Sequence, residues 1–262
     1  MLKIVLIEAR DLPDAWFQLV AKIIEPGIAD KYRIDQGSYA SQYRLEFDFV
    51  IIHVHYPGVR PLIPDIPPGL GIPPPTDMKF VEMYTDRYWM TDLKEGNEQY
   101  TYGERITKAR TSAIQHIERN QTFLGVSPPE FVNQMDEVID RYKKYGPGNN
   151  QLILQVGQPA DIMLKDPPCL RQIDTRVKEG KLHFVCVYFR SWDLWGGLPA
   201  NLAAIQLMKE YMARQIGVED GEMICVSKGL HLYDHCWEIA GIRRGLSVEE
   251  IKKLKEIPSR KS

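Results

Sequence analysis

Residues 189–201 read FRSWDLWGGLPAN and combine a cation, a hydroxyl, a carboxylate, two indoles, two glycines and an amide. The residues before them, 182–189, are rich in β-branched and aromatic side chains, which predicts a strand. Pro199 lies where the first turn of a helix tolerates proline. The polar groups therefore lie between a strand and a helix, where backbone N–H groups point outward and side chains leave the core. This position favours a ligand site, while an ordinary surface ion pair is the alternative for the segment taken alone.

A reactive cysteine lies upstream, in the segment DPPCLR at residues 166–171. The two prolines before Cys169 stiffen the backbone around it. A neighbouring arginine is expected to lower the pKa of the Cys169 thiol and to favour the thiolate. The segment therefore predicts a nucleophile, with a packed structural cysteine as the alternative.

A third polar segment, GLHLYDH at residues 229–235, lies downstream. His231, Tyr233 and His235 alternate, so a strand here places all three side chains on one face. Three hydrogen-bonding groups on one face favour a polar ligand over a buried core.

Composition limits the class of protein. The 262 residues are 44% hydrophobic and 26% charged, which is typical of a soluble globular protein. A net charge of −2 gives no case for nucleic acid or a membrane surface, and no apolar run reaches the ~18 residues of a membrane-spanning helix. The four cysteines have no metal-ligand spacing, so we interpret them as free thiols in a reducing cytoplasm and expect no metal. No domain boundary is visible, so we expect a single domain over residues 1–262.

Together the three segments resemble thymidylate synthase, most closely the archaeal branch of that family. The family has a Pro-Cys nucleophile, then Arg-Ser-x-Asp-x-x-x-Gly-x-Pro-x-Asn, then a His-x-Tyr pair, and this chain has them in the same order. The resemblance is strong over residues 145–240 and weak over 1–100. It implies an α/β (α+β) fold in which helices pack on a mixed β-sheet around a long buried central helix. It also implies a homodimer and the reductive methylation of dUMP to dTMP.

The resemblance implies covalent chemistry on the pyrimidine. Cys169 adds to carbon 6 of uracil, which makes carbon 5 reactive. The Asn201 amide donates to oxygen 4 and accepts from the ring N3–H, a pattern that favours uracil over cytosine. Tyr102 assists proton removal at carbon 5. Glu82, the best-placed glutamate upstream of Tyr102, is the candidate catalytic carboxylate, with a solvated helix carboxylate as the alternative.

The same resemblance implies binding roles for the remaining polar side chains of the motifs. Arg190 and Ser191 bind the 5′-phosphate of dUMP, and His231 and Tyr233 hold the sugar 3′-hydroxyl.

On the family pattern Asp193 faces the pterin ring of the one-carbon donor, and Gly197 allows the backbone to approach that ring. The donor is 5,10-methylenetetrahydrofolate or a related tetrahydropterin such as methylene-tetrahydromethanopterin.

Four departures from the family pattern keep other functions open. Leu170 and Phe189 replace a histidine and a glutamine, and Asn150-Gln151 stands where the bacterial-type pattern has two arginines. The chain also ends about where the family continues with an apolar tail that closes over the folate. Water reaching an open site would make the enzyme a dUMP (or dCMP) 5-hydroxymethylase. A non-catalytic nucleotide-binding homologue is the second alternative.

Periodicity predicts the remaining elements. Strands are expected over residues 1–7, 44–55, 151–156 and 222–227, and a loop over 32–41. Helices are expected over residues 14–25, 77–89, 104–120, 129–144 and 198–216. The last of these is apolar nearly all round, which is typical of a buried central helix.

Overall fold

The structure, a computed structural model, describes residues 1–35, 39–66, 71–96, 98–111 and 130–260. The helices of this part are α1 (Leu12–Ile23), α2 (Met78–Tyr88), α3 (Tyr102–Thr107), α4 (Gln134–Tyr145), α5 (Gly197–Ile216), α6 (Trp237–Arg244) and α7 (Val248–Glu256). The strands are β1 (Ile4–Ala9), β2 (Asp30–Arg33), β3 (Tyr43–Glu46), β4 (Phe49–Val54), β5 (Ala109–Arg110), β6 (Phe131–Val132), β7 (Ile153–Gln155), β8 (Leu170–Lys178), β9 (Lys181–Phe189), β10 (Trp192–Asp193), β11 (Glu219–Ser227), β12 (Leu230–Tyr233) and β13 (Ser259–Arg260).

A six-stranded sheet in the order β1-β4-β11-β9-β8-β7 forms the body of the molecule. Its β1–β4 and β11–β9 pairs are parallel, and the β4–β11, β9–β8 and β8–β7 pairs are antiparallel. The sheet is therefore mixed, as predicted. A five-stranded sheet in the order β10-β12-β3-β2-β13 lies beside it and carries two of the polar motifs.

The helix α5 is the central helix that the sequence predicted. Twelve of its 20 residues are buried, and its apolar side chains belong to the same core cluster as those of β9 and β11. Gly217 ends the helix in the left-handed conformation, with φ of 86°, where glycine carries no Cβ penalty. None of the described helices combines the length and apolarity needed to cross a lipid bilayer.

One face of the six-stranded sheet is only partly covered in the part of the chain that the structure describes. Along β1 and β4 alternate residues are buried, and the residues between them are exposed or half-buried. Ile4 and Leu6 of β1 are 70% and 59% exposed, which is unusual for apolar side chains on a sheet. We call this surface the open sheet face.

The predicted strand over residues 44–55 is wrong, because the chain forms β3 and β4 in different sheets. The buried positions shift by one residue at the break: Leu45 and Phe47 are buried, and then Val50 and Ile52. The Phe47 N–H donates to the Leu230 carbonyl at 3.0 Å, which turns the chain between the two sheets.

Other element boundaries also differ from the prediction. The start of the loop expected over 32–41 belongs to β2. The helix expected over 104–120 covers only α3, with β5 after it, and residues 112–120 lie outside the described part. The helix expected over 129–144 begins at Gln134, because the Asn133 side chain caps it, and Phe131 lies in β6 instead.

Candidate active site

Strand pairing brings the Cys169 segment against the central motif. Leu170 of β8 pairs with Phe189 of β9, and the Arg190 N–H donates to the Cys169 carbonyl at 2.8 Å. The nucleophile candidate and the cation of the motif are therefore neighbours across an antiparallel pair, although they are well separated in the chain.

The Arg190 side chain donates hydrogen bonds to the segment that carries Cys169. Its Nε–H donates to the Pro168 carbonyl at 3.2 Å, and its terminal nitrogen donates to the Pro167 carbonyl and to Asp166 Oδ1, the latter at 3.3 Å. Prolines offer carbonyl acceptors without competing N–H donors. The Arg190 side chain as a whole is 28% exposed, so a ligand can still reach it.

Burial raises the pKa of the Cys169 thiol above its ordinary value. Arg190 opposes this rise, Asp166 adds to it, and Arg171 opposes it more weakly. The expected lowering of the pKa is therefore wrong in its net direction, because desolvation outweighs the two guanidinium groups. The side chain is a protonated thiol at neutral pH.

Three tyrosines lie on separate elements of this region, Tyr84 on α2, Tyr102 at the start of α3 and Tyr233 at the end of β12. Burial raises the pKa of Tyr84 and that of Tyr233 to about 12, and holds the pKa of Tyr102 well above its usual range. The Leu170 N–H, next to Cys169 in the chain, donates to the Tyr102 hydroxyl at 3.4 Å. All three hydroxyls are therefore protonated at neutral pH and can donate hydrogen bonds.

The amide of Asn201 is held at both ends. The Trp192 indole N–H donates to Asn201 Oδ1 at 2.9 Å, and Asn201 Nδ2 donates to the Tyr84 hydroxyl at 3.0 Å. An indole N–H donates only, so it fixes which end of the amide is oxygen. One lone pair on Oδ1 and one hydrogen on Nδ2 have no partner among the described residues. The sequence did not predict either contact, although Tyr84 lies in the helix expected over residues 77–89 and Trp192 lies in the motif.

The two motif tryptophans pack within the protein. Trp192 stacks on Phe189, with ring centroids 4.0 Å apart and planes at 7°. Trp195 packs edge-on against Trp16, whose indole N–H donates to the Leu194 and Trp195 carbonyls. These contacts rigidify the loop between β9 and α5, and they occupy both indole rings in packing within the protein.

Asp193 organises the start of α5. Its carboxylate accepts the N–H groups of Trp195 and Gly196 at 3.1 Å each, and that of Gly197 at 2.8 Å. A carboxylate at a helix N-terminus satisfies donors that have no partner inside the helix. A Cβ added to Gly197 would lie 3.2 Å from the Asp193 Cβ, so glycine permits this close approach.

A cavity of about 650 Å³ lies next to these groups. Gly196, Gly197 and Asn201 line one side of it, and Phe80 and Tyr84 of α2 line another. The Phe80 and Tyr84 rings are nearly parallel, at 10°, with centroids 5.5 Å apart. Flat aromatic walls beside a glycine backbone suit a planar heterocycle of pterin size.

His231 presents a buried acceptor. Its Nδ1–H donates to the Gly229 carbonyl at 2.9 Å, and its Nε2 is buried without a hydrogen-bond partner in the described part of the chain. Burial lowers the pKa of His231, so the imidazole is neutral and Nε2 carries a lone pair. Tyr233 packs edge-on against it at 4.7 Å. His235 falls in a 3-10 turn after β12, not on the predicted strand, and its ring stacks on Tyr233.

Two of the predicted site residues, Ser191 and Glu82, form no side-chain hydrogen bond with the site residues described above. Ser191 is half-buried in the loop next to Arg190. Glu82 is exposed on α2, and it forms no hydrogen bond or ion pair with another described residue. The structure therefore does not bring Glu82 to Cys169, whereas Tyr84, two residues later, reaches Asn201.

A buried carboxylate ties the cysteine segment to α3. Asp161 accepts from Arg105 of α3 at 2.9 Å and from Arg171 at 3.0 Å. Burial opposes its ionisation, but the Gln158 N–H and then the Arg105 guanidinium hold the pKa of Asp161 below its ordinary value. This network positions Tyr102, at the start of α3, relative to the thiol, and the sequence did not predict it.

The motifs and this geometry agree with comparisons to known proteins. The family model described as thymidylate synthase matches residues 76–255. A Methanosarcina acetivorans protein named "Putative thymidylate synthase" is 26% identical over 246 residues, which cover 92% of this chain and 96% of the relative. A protein of the same name from Methanothermobacter thermautotrophicus is 25% identical over 235 residues, 87% of this chain and 93% of the relative. The thymidylate synthase of Listeria monocytogenes is 34% identical over 110 residues, 42% of this chain and 34% of its own length. Because the thymidylate synthase family model matches more than half of its length, this chain belongs to the thymidylate synthase family.

Proposed function

We propose that this protein is a thymidylate synthase that methylates dUMP to dTMP through a covalent adduct with Cys169. Membership of the family supports an enzyme of the methyltransferase class. One observation carries the proposal: Cys169 is hydrogen-bonded to Arg190 at the start of the loop whose Trp192 holds the Asn201 amide. Binding and activating a uracil ring requires a nucleophile together with one hydrogen-bond donor and one hydrogen-bond acceptor.

The amide of Asn201 selects the base. Its remaining N–H matches oxygen 4 of uracil, and its remaining lone pair matches the uracil N3–H. Cytosine presents an amine and an unprotonated N3, which leaves both contacts mismatched. Trp192 fixes this orientation, because rotating the amide would place an N–H against the indole N–H.

Cys169 attacks carbon 6 of the bound pyrimidine as the thiolate. The new S–C bond moves the ring electrons to oxygen 4, and the Asn201 N–H stabilises that enolate. Carbon 5 then bonds to the one-carbon unit and loses its proton, for which the Tyr102 hydroxyl beside Leu170 is the relay. Cleavage of the bond between the one-carbon unit and its donor, reduction of that unit by the donor's hydride, and release of the Cys169 thiolate from carbon 6 complete the conversion to dTMP. We assign Glu82 no step, because its side chain lies on the exposed side of α2.

The nucleotide's phosphate and sugar meet groups on either side of the thiol. We assign the 5′-phosphate to the Arg190 guanidinium and to the Ser191 hydroxyl. We assign the sugar 3′-hydroxyl to His231 and Tyr233, where the lone pair of His231 Nε2 accepts the hydroxyl proton. A buried acceptor without a partner is costly, which supports a ligand hydroxyl at this position.

We propose the cavity beside α2 as the site of the second substrate, 5,10-methylenetetrahydrofolate or a related tetrahydropterin. This substrate supplies both the carbon and the hydride. Gly197 lines the cavity, and Asp193 holds the loop that forms its wall. Phe80 and Tyr84 face the ring.

We propose that the protein is a homodimer that pairs across the open sheet face. Ile4 and Leu6 are exposed there, and Ile51 and Ile224 on neighbouring strands are half-buried. Contiguous apolar sheet surfaces of this kind are typical of interfaces between copies. A Leu6→Glu variant is expected to lower the mass measured by sedimentation equilibrium to that of one chain, while wild type has twice that mass.

The test is incubation with dUMP and methylenetetrahydrofolate, followed by mass analysis of the nucleotide. The proposal predicts dTMP, no product from Cys169→Ala, and unimpaired product from the matched control Cys186→Ser. A 5-hydroxymethyl product would assign the protein to the hydroxymethylases. Bound dUMP without conversion, with either methylenetetrahydrofolate or methylene-tetrahydromethanopterin, would indicate a non-catalytic nucleotide-binding homologue.

A further inference from the structure

Four side chains with metal-ligating groups meet at one end of the open sheet face. Glu8 of β1 and His53 of β4 are register partners, and Glu222 of β11 lies on the same face. His55 follows directly after β4. We call these four residues the histidine cluster. None of them lines the cavity beside Asn201, so a role for the cluster is independent of the proposed nucleotide chemistry, although it shares the open sheet face with the proposed dimer contact.

The ligand atoms of the cluster converge on one carboxylate. Glu8 Oε2 lies 3.0 Å from His53 Nδ1 and 2.9 Å from His55 Nε2. The three ligand atoms of Glu8, His53 and His55 all lie within 4.8 Å of one another. Tetrahedral bonds of about 2.0–2.2 Å to zinc separate neighbouring ligands by roughly 3.3 Å. The two separations from Glu8 are therefore only a few tenths of an ångström shorter than this value.

Glu222 supplies the outer contact that such a site needs. Its Oε2 lies 2.7 Å from His53 Nε2, on the far side of the imidazole from Glu8. A carboxylate there accepts the Nε2–H and leaves the Nδ1 lone pair directed at the ion, as in carboxylate–histidine–zinc arrangements.

We propose that Glu8, His53 and His55 bind one divalent transition-metal ion of the zinc class. Two imidazoles and one carboxylate are ligands that zinc prefers, and they leave a fourth position for water. His55 and Glu222 also line an open groove of about 710 Å³, which gives an ion a path from solvent. The bound ion links the edge strand β1 to β4. The alternative is that the cluster binds no metal and that its side chains are joined by hydrogen bonds alone.

The neighbouring His183 provides a matched control. Its Nδ1 accepts the Glu222 backbone N–H at 3.1 Å, so its lone pair is already used and its Nε2 carries a proton. His183→Gln removes a histidine of the same face without removing a proposed ligand.

The test is titration of the metal-free full chain with Zn²⁺ by calorimetry and with Co²⁺ by visible absorption. We expect one ion per chain, with Co²⁺ bands of a low-coordinate nitrogen and oxygen site and without a thiolate charge-transfer band. Glu8→Gln and His55→Gln are expected to weaken binding by more than about 100-fold, and Glu222→Gln by about 10- to 100-fold. His183→Gln is expected to bind as wild type does. Binding is also expected to weaken at low pH and to release protons, because the ion replaces protons on the histidines.

Three results would overturn the proposal. One is the absence of saturable binding, and another is binding that Glu8→Gln and His55→Gln leave unchanged. The third is a Co²⁺ spectrum with thiolate charge transfer, which would place the ion on cysteine. Circular dichroism of each metal-free variant against wild type separates loss of the site from loss of the fold.

Discussion

Trp192→Phe tests whether the indole N–H sets the base specificity of Asn201. The substitution keeps an aromatic ring stacked on Phe189 but removes the donor that lies 2.9 Å from Asn201 Oδ1. The Tyr84 hydroxyl, the other partner of the amide, can either accept or donate. The amide of the variant is therefore free to rotate, and the orientation that fits uracil loses its advantage.

The magnitude follows from one hydrogen bond between neutral groups. Such a bond contributes about 0.5–1.5 kcal/mol net, which corresponds to a factor of about 2–13 in rate or binding. We expect kcat/KM for dUMP to fall by that factor, and the preference for dUMP over dCMP in binding to fall at least as much. The lost indole volume and hydrogen bond should together lower the free energy of unfolding by about 1–3 kcal/mol.

The assay compares kcat/KM for dUMP and the ratio of Kd values for dUMP and dCMP between wild type and variant. Chemical denaturation of both proteins confirms that the variant is folded under the assay conditions. Unchanged discrimination in a folded variant would refute the argument, because the orientation of the amide would then not depend on Trp192. A matched control is Trp195→Phe, which removes an indole of the same loop that has no contact with Asn201.

Two further predictions concern stability. Asp193→Ala should lower the free energy of unfolding in urea by about 1–2 kcal/mol, because three N–H groups at the start of α5 lose their acceptor. Asp193→Asn should lower it less. Equal stability of wild type and both variants would contradict a capping role for Asp193. Burial lowers the pKa of Lys209 from 10.5 to about 8. Between pH 8 and 10.5 the unfolded chain therefore binds more protons than the folded chain, and the free energy of unfolding should rise with pH. The rise over the whole window corresponds to ~3 kcal/mol. Lys209→Met should remove this rise when the free energy of unfolding is measured across the same pH range. If the variant keeps the wild-type pH dependence, groups other than Lys209 cause it.

The parts of the site that are local in sequence could be predicted from it. The strand, turn and helix start of residues 189–201 follow from side-chain type and from Pro199, and the central helix follows from its nearly uniform apolar surface. Both are borne out by the structure. The mixed sheet was predicted through the family resemblance, and the single-domain organisation stays a prediction.

The parts that depend on distant contacts could not be predicted. Asn201 receives its orientation partly from Tyr84, which is 117 residues away in the chain. The break between β3 and β4 depends on an N–H that pairs with Leu230 of another strand. The sign of the pKa shift at Cys169 depends on how far burial outweighs Arg190, and burial is a property of the complete fold.

The protonated state of the Cys169 thiol has a consequence for how this site works. Cysteine oxidation and alkylation proceed through the thiolate, so a buried thiol with a raised pKa is protected while no substrate is bound. The pKa values of Tyr84 and Tyr102 are also raised, so both phenols are protonated at neutral pH and donate hydrogen bonds. In the proposed mechanism negative charge appears only during attack, and the Asn201 N–H stabilises it on oxygen 4 of the enolate. On this proposal the thiolate is favoured only when a pyrimidine is present to take up its charge, so reactivity is coupled to occupancy of the nucleotide site.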